Sequence, residues 1–163
     1  VAAHLEAAGV GVAALYSSAL RRARDTAAPI ERALGVPLRI DPDLREYDIG
    51  AWEGRSFAEL YERERFFEHI RSDPHFAPHG GESPRQVTDR LRRALERIAA
   101  AHSGGRVVVV VHGGALSMTL AEMLEGHYTR WGKVMDNAAV TELVLEPRPA
   151  LLCFNRTEHL ADL

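Results

Sequence analysis

Apolar residues in this chain fall into two patterns: short dense runs, and longer stretches with apolar positions every three or four residues. The densest run is Val107-Val108-Val109-Val110-Val111. Five consecutive valines cannot alternate between inside and outside, so the run predicts a strand covered on both faces, as in a parallel sheet with helices on either side. It stops at His112-Gly113-Gly114, after which Ala115, Leu116, Thr119, Leu120, Met123 and Leu124 recur at helical spacing. Strand, glycine turn and helix in that order put His112 at the carboxyl end of a buried strand. Ligands of open α/β sheets collect there, beside the N–H groups of the next helix's first turn.

The same two patterns recur along the chain. Residues 1–9 read as the back half of a helix with Gly9 as its stop. Val12–Tyr16 predicts a buried strand, and Ser17-Ser18 a cap for a helix through about Leu34, ended by Gly35. Ala23, Ala27, Ile30 and Leu34 form its apolar stripe, with Pro29 predicting a kink or break. Leu38–Ile40 predicts a strand and Asp41-Pro42-Asp43 a turn. Residues 44–54 keep no period and are rich in acids, aromatics and glycine, a loop that either decorates a surface or carries function. Ser56 to about Arg71 predicts a helix with Phe57, Leu60, Tyr61, Phe67 and Ile70 available to pack. Ser83-Pro84-Arg85-Gln86 is a helix start with cap, first-position proline and capping-box glutamine. That helix carries Val87, Leu91, Leu95 and Ile98 on one face and ends at Gly104-Gly105. Residues 139–145 and 151–155 predict two final strands. No repeat or linker interrupts the pattern, so residues 1–163 read as one domain.

Composition narrows the function classes. A net charge of -3 argues against a general nucleic-acid or anionic-membrane surface. The single cysteine, Cys153, excludes an intramolecular disulfide and a multi-cysteine metal site, and points to a reducing compartment such as the cytoplasm. No apolar run reaches membrane-spanning length. His69, His75 and His79 lie close in sequence, but their spacing fits no familiar zinc pattern and no metal is expected.

The candidate chemistry is anionic. Arg21, Arg22 and Arg24 crowd the first turns of a helix, the end at which the macrodipole disfavours cations, and a bound anion would resolve the conflict. Arg22 borders the apolar stripe and is the one expected to face a site. Its planar fork matches phosphate oxygens. His112 can stabilise phosphoryl charge or act as nucleophile or acid, and a carboxylate from the 44–54 loop can serve as general acid. These residues alone identify no reaction.

They also carry a resemblance. Ser18-Ala19-Leu20-Arg21-Arg22-Ala23-Arg24-Asp25-Thr26 resembles the S-P-L-x-R-A-x-Q-T motif of the histidine phosphatase superfamily, the phosphoglycerate-mutase-like clan. Leu44-Arg45-Glu46 through Gly50-Ala51-Trp52-Glu53-Gly54 is similar to its L-R-E-x-x-x-G-x-W-E-G loop. His79-Gly80-Gly81-Glu82-Ser83 resembles its P-G-G-E-S turn, with histidine replacing proline. Val107–Gly114 resembles its strand and H-G-G, and Asn137-Ala138-Ala139 with Asn155–Leu160 its closing segments. The resemblance implies a three-layer α/β fold with a mostly parallel sheet flanked by helices. It implies Arg22 as the phosphoryl clamp, Glu46 as the acid that protonates the leaving oxygen and then activates water, and His112, with Gly113, as the rest of the phosphate pocket. It implies no metal or other cofactor, and a small phosphorylated substrate or inorganic phosphate as partner. The family's mutases carry longer insertions between the positions of Glu46 and Gly80, so the short stretch here implies a phosphatase.

One departure matters. The family's nucleophile is the histidine of an Arg-His-Gly at the end of its first, central strand, and residues 1–163 contain no Arg-His-Gly. The alignment places a strand, loop and half-helix, about 30 residues, ahead of Val1. The expectation is therefore an N-terminally truncated chain that lacks the first central strand, keeps the clamp and the acid, and turns over little by itself. Mutase-type transfer and non-catalytic phospho-ligand binding remain as alternatives. An α/β-hydrolase, which also places His-Gly-Gly after a strand, is rejected because Gly114-Ala115-Leu116-Ser117-Met118 fails G-x-S-x-G.

Overall fold

The computed structural model describes residues 1–7, 9, 11–56, 58–130 and 135–161. Three parallel strands form in the order β2-β1-β3: β1 (Ala14–Ser17) lies between β2 (Leu38–Ile40) and β3 (Val107–Val110). Helix α1 (Ala2–Ala7) packs on α2 (Arg21–Leu34), which carries the chain from β1 to β2. After α3 (Phe66–Ser72), helix α4 (Pro84–Ala101) precedes β3 and packs on α5 (Gly113–Glu125), which follows it. An antiparallel hairpin of β4 (Val140–Val144) and β5 (Ala150–Arg156) closes the chain as a second sheet. This is the expected α/β architecture, a parallel sheet flanked by helices. Among the described residues no helix is long and apolar enough to cross a membrane.

Four local expectations change. The valines of β3 are only partly buried, because β3 pairs with β1 on one side and with no other strand among the described residues. Ser17 ends β1 and Ser18 does not cap α2. Leu20 stands at the cap position, and the Ser18 hydroxyl instead accepts from the Leu20 N–H at 3.2 Å. Pro29 does not break α2, which runs through it with the proline on the exposed side. The helix expected over 56–71 is divided into a π-turn (Glu59–Arg63), Arg65 in the left-handed region (φ 49°) and α3. The break lets both Leu60 and Phe66 turn into the core. Ala8 and Phe57, two positions of expected helices, lie outside the described residues.

Helix α4 is the wall on which the site is built. Its capping box closes as expected: the Ser83 hydroxyl accepts from the Gln86 N–H (3.3 Å) and the Gln86 side chain accepts from the Ser83 N–H (2.8 Å). Its inner face buries Val87, Leu91, Leu95 and Ile98 together with Leu44, Tyr47, Leu60 and Phe66. Each such side chain, fully buried, stabilises by roughly 1.5–3 kcal/mol. The loop after β2 is therefore pinned at Leu44 and Tyr47, with Glu46 between the two pins.

The other end of that loop is fixed by backbone packing. Ala51 N–H donates to His79 O (2.8 Å) and Glu82 N–H to Asp48 O (2.8 Å). The two segments lie so close that a side chain at Gly50 (φ +55°) would strike the backbone of His79 and Gly81. One at Gly81 would come within 2.6 Å of Asp48 O. Glycine is required at both positions by contact.

Candidate active site

His112 stands at the end of β3, 7% exposed, as the residue before the first turn of α5. Its Nε2 shares a 2.9 Å hydrogen bond with the hydroxyl of Ser18, which is fully buried at the end of β1. Because β1 and β3 are paired neighbours, Ser18, one residue past β1, and His112, two past β3, come to one place. Burial pushes the His112 pKa below its usual 6.5; the charges of Arg22 and Arg90 push the same way, and that of Glu46 opposes them. Burial and the two cations therefore favour the neutral form of the imidazole.

Arg22 sits in the first turn of α2, and its guanidinium has no hydrogen bond or ion pair among the described residues. Its charge nevertheless reaches His112. Arg21, by contrast, pairs with Asp25 (3.5 Å) at the solvent. All three clustered arginines are exposed on α2; of them, Arg22 is the one whose charge bears on His112.

Glu46 reaches the same helix start. Its carboxylate accepts from the N–H groups of Gly114 (3.1 Å) and Ala115 (2.6 Å), and from its neighbour Tyr47 (2.9 Å). These first-turn N–H groups have no partner inside the helix, and the dipole end favours an anion. Gly114 permits the approach, because a Cβ there would stand 3.0 Å from Oε1 and 3.2 Å from Oε2. Gly113 N–H is left without a partner among the described residues and points from the same turn. Met135 crosses Gly113 at 3.3 Å from where a Cβ would be. Asn155 holds the next residue, accepting from the Asp136 N–H and donating to the Asp136 carboxylate, both at 2.7 Å. The chain's closing segments thus border the pocket.

Under the loop lies a group that patterning alone did not mark as functional. Arg90, 6% exposed on the inner face of α4, forks the Glu82 carboxylate through Nε and Nη2, both at 2.8 Å. It also donates to the carbonyls of Asp43 (2.7 Å), Arg45 (3.1 Å) and Glu46 (3.2 Å). Glu82 in turn accepts from the Arg45 side chain (2.7 Å) and the Asp48 N–H (3.3 Å). One signal in the sequence pointed to it: Arg90 interrupts the apolar stripe between Val87 and Leu91, where a charge has to be paired. Ser18 was read as a helix cap, and its partnership with His112 had no local signal.

The histidine-rich segment does not converge. His69 stacks on Phe76 (4.5 Å between ring centres), and His75 and His79 are exposed. No three potential metal ligands gather among the described residues. Of the aromatic residues beside the loop, Phe66 packs on Tyr47 and Trp52 as core. Tyr61 and Phe67 line a cleft of about 300 Å³ with Arg65, Glu68 and Arg71.

Comparison with known proteins identifies the family. The model of the histidine phosphatase superfamily (branch 1) matches residues 1–156. A bifunctional protein of Mycobacterium tuberculosis is 36% identical over 154 residues, 92% of this chain and 42% of its own length. A metal-independent phosphoserine phosphatase of Arabidopsis thaliana is 44% identical over 109 residues, 63% of this chain and 45% of its own length. The chain therefore spans less than half of these two relatives. The structure of a mycobacterial glucosyl-3-phosphoglycerate phosphatase with inorganic phosphate superposes with a TM-score of 0.81 at 31% identity, covering 96% of this chain and 83% of that one. With a family model matched from its first residue to its last strand, this chain belongs to the histidine phosphatase superfamily.

Proposed function

We propose that the chain carries the phosphate pocket and the proton donor of a phosphomonoester hydrolase that acts on small organic phosphates through a phosphohistidine. The observation that supports this reading is the meeting, at the start of α5, of Glu46, His112 and an N–H group without a partner among the described residues, with the charge of Arg22, also unpaired among them, bearing on His112. Arg22, His112 and the Gly113 N–H would hold the three non-bridging oxygens. In the first step a histidine nitrogen attacks phosphorus, the bond to the leaving oxygen breaks, and Glu46 gives that oxygen its proton so that a neutral alcohol departs. In the second, the Glu46 carboxylate takes a proton from water as its oxygen attacks phosphorus. The P–N bond breaks, releasing inorganic phosphate and regenerating the histidine and the acid.

The attacking histidine is the one part that residues 1–163 do not contain in the family's Arg-His-Gly form. That observation also favours the second reading, a phospho-ligand binder. An in-frame Arg-His-Gly in the codons ahead of Val1 decides for the hydrolase. In the protein with that segment in place, acid-labile phosphate on histidine should accumulate during turnover. Glu46→Gln should lower kcat/KM, which reports the step that expels the alcohol, far more for alkyl phosphates than for p-nitrophenyl phosphate, whose leaving group scarcely needs a proton. Equal slowing of both would remove Glu46 as the acid, and turnover by residues 1–163 alone would remove the histidine nucleophile. The single free Cys153 supports a reducing compartment as the site of action.

A further inference from the structure

The acid of the proposed reaction is carried by a loop with no regular secondary structure at Glu46, yet that carboxylate is held in one place by two helical N–H groups. We infer that Arg90 is the positioning residue of this reaction, acting on Glu46 from behind through the backbone carbonyls of Asp43, Arg45 and Glu46. The inference rests on the proposed hydrolase reading. It gives Arg90 no contact with substrate.

The geometry is specific. A guanidinium has five N–H donors in a rigid plane. Here they go to both oxygens of Glu82 and to three carbonyls of a four-residue stretch, so that one side chain fixes the path of the backbone on both sides of Arg45. Glu82 completes the clamp from the other side by taking the Arg45 side chain and the Asp48 N–H. The Glu46 carbonyl is thus tied to α4 while its carboxylate is tied to α5. The side chain spans the gap between the two helices at a set length. Leu44 and Tyr47 anchor the loop in the core by themselves, so the clamp is not needed merely to keep the loop attached. What it adds is the orientation of Glu46. A lysine cannot substitute, because an ammonium has three donors from a point and cannot fork a carboxylate while reaching three carbonyls.

Arg90→Lys keeps the charge that reaches His112 and removes the fork, so a role through Glu46 has a signature that a structural residue lacks. In the protein with its Arg-His-Gly segment in place, Arg90→Lys should lower kcat/KM, which reports the step that expels the alcohol, by about tenfold or more for an alkyl phosphate and by less than about threefold for p-nitrophenyl phosphate. The inhibition constant of sulfate should be unchanged, since Arg22 and His112 are untouched. In a Glu46→Gln background Arg90→Lys should have no further effect on either substrate. Glu82→Gln, which keeps the shape and loses the charged fork, should give the same selective loss in milder form. Independently of turnover, the amide protons of Gly114 and Ala115 report the Glu46 carboxylate. Their resonances should move in Arg90→Lys in the direction they move in Glu46→Gln. Amide resonances that stay at the parent positions, or equal loss on both phosphate classes, or additive loss in the double variant, would each overturn the assignment. If the parent protein turns over neither substrate, the hydrolase reading fails by itself, and the amide resonances alone decide whether Arg90 positions Glu46.

Discussion

Gly114→Ala separates the stability of this fold from its proposed chemistry. Gly114 lies in the first turn of α5 and is not among the positions with a positive backbone angle, so alanine fits the helix there. Replacing glycine by alanine in a helix stabilises by roughly 0.5–1 kcal/mol. Against that, the new methyl would stand 3.0 Å from Glu46 Oε1, where ordinary contact begins at 3.4 Å. The carboxylate has to retreat by about 0.4 Å, the difference of those two distances, which stretches the 2.6 Å and 3.1 Å hydrogen bonds that seat it. Charge-assisted hydrogen bonds contribute about 1.5–3 kcal/mol when buried. Glu46 is only partly buried and the bonds are lengthened rather than lost, so the cost is on the order of 0.5–1 kcal/mol. The two terms cancel, and the midpoint of urea unfolding should move by no more than the error of the measurement. The acid is displaced all the same. Since misplacement by about 1 Å costs on the order of a hundredfold, about half that distance should, in the protein with its Arg-His-Gly segment in place, lower kcat/KM for alkyl phosphates about tenfold while sparing p-nitrophenyl phosphate. A variant stabilised by the full ~1 kcal/mol with undiminished alkyl phosphate turnover would show that the seat at α5 does not place the acid.

How much of this was legible in the sequence follows from where each signal resides. Local signals read correctly. The capping box at Ser83 and Gln86 and the strand, glycine turn and helix around His112 are complete within a few residues. The loop motif read correctly because Gly50 and Gly81 are fixed by direct backbone contact, which no other residue type satisfies. What did not read is what depends on a partner distant in sequence. Ser18 has the composition of a helix cap, and only the pairing of β1 with β3 turns it toward His112. The break at Arg65 has no glycine or proline to announce it. It arises because Leu60 and Phe66 compete for one core. The valine run overstated burial for the same reason, since composition records what a strand tolerates and pairing decides what covers it. Arg90 lies between these cases: a charge on an apolar stripe was visible, while its five acceptors come from the 43–46 loop and Glu82.

Three further outcomes test the site from other sides. Tyr47 is 8% exposed and its buried hydroxyl has no hydrogen-bond partner among the described residues, so Tyr47→Phe should raise the unfolding free energy by about 1 kcal/mol; destabilisation would mean that the hydroxyl is satisfied. Ser18→Ala removes the partner of a buried ring nitrogen and should cost about 1–3 kcal/mol. Unlike Gly114→Ala, it should slow alkyl and aryl phosphates alike, because it loosens the phosphoryl pocket and not the acid. The pH dependence follows from His112. Its pKa in the fold lies below 6.5, chiefly through burial, so the native state binds fewer protons than the unfolded chain just below that pH. The stability this residue contributes is present above pH 6.5 and is lost as pH falls through the depressed value. A bound dianion reverses the balance, since it favours the imidazolium that burial and the charges of Arg22 and Arg90 oppose. Sulfate, which does not itself titrate in this range, should therefore bind residues 1–163 more tightly as pH falls from 8 toward 6, with uptake of a proton. Calorimetry in two buffers of different ionisation enthalpy measures that proton directly. It should vanish in His112→Gln, where the remaining clamp still binds sulfate but without pH dependence; identical apparent enthalpies in both buffers for the parent chain would mean that His112 does not face the anion.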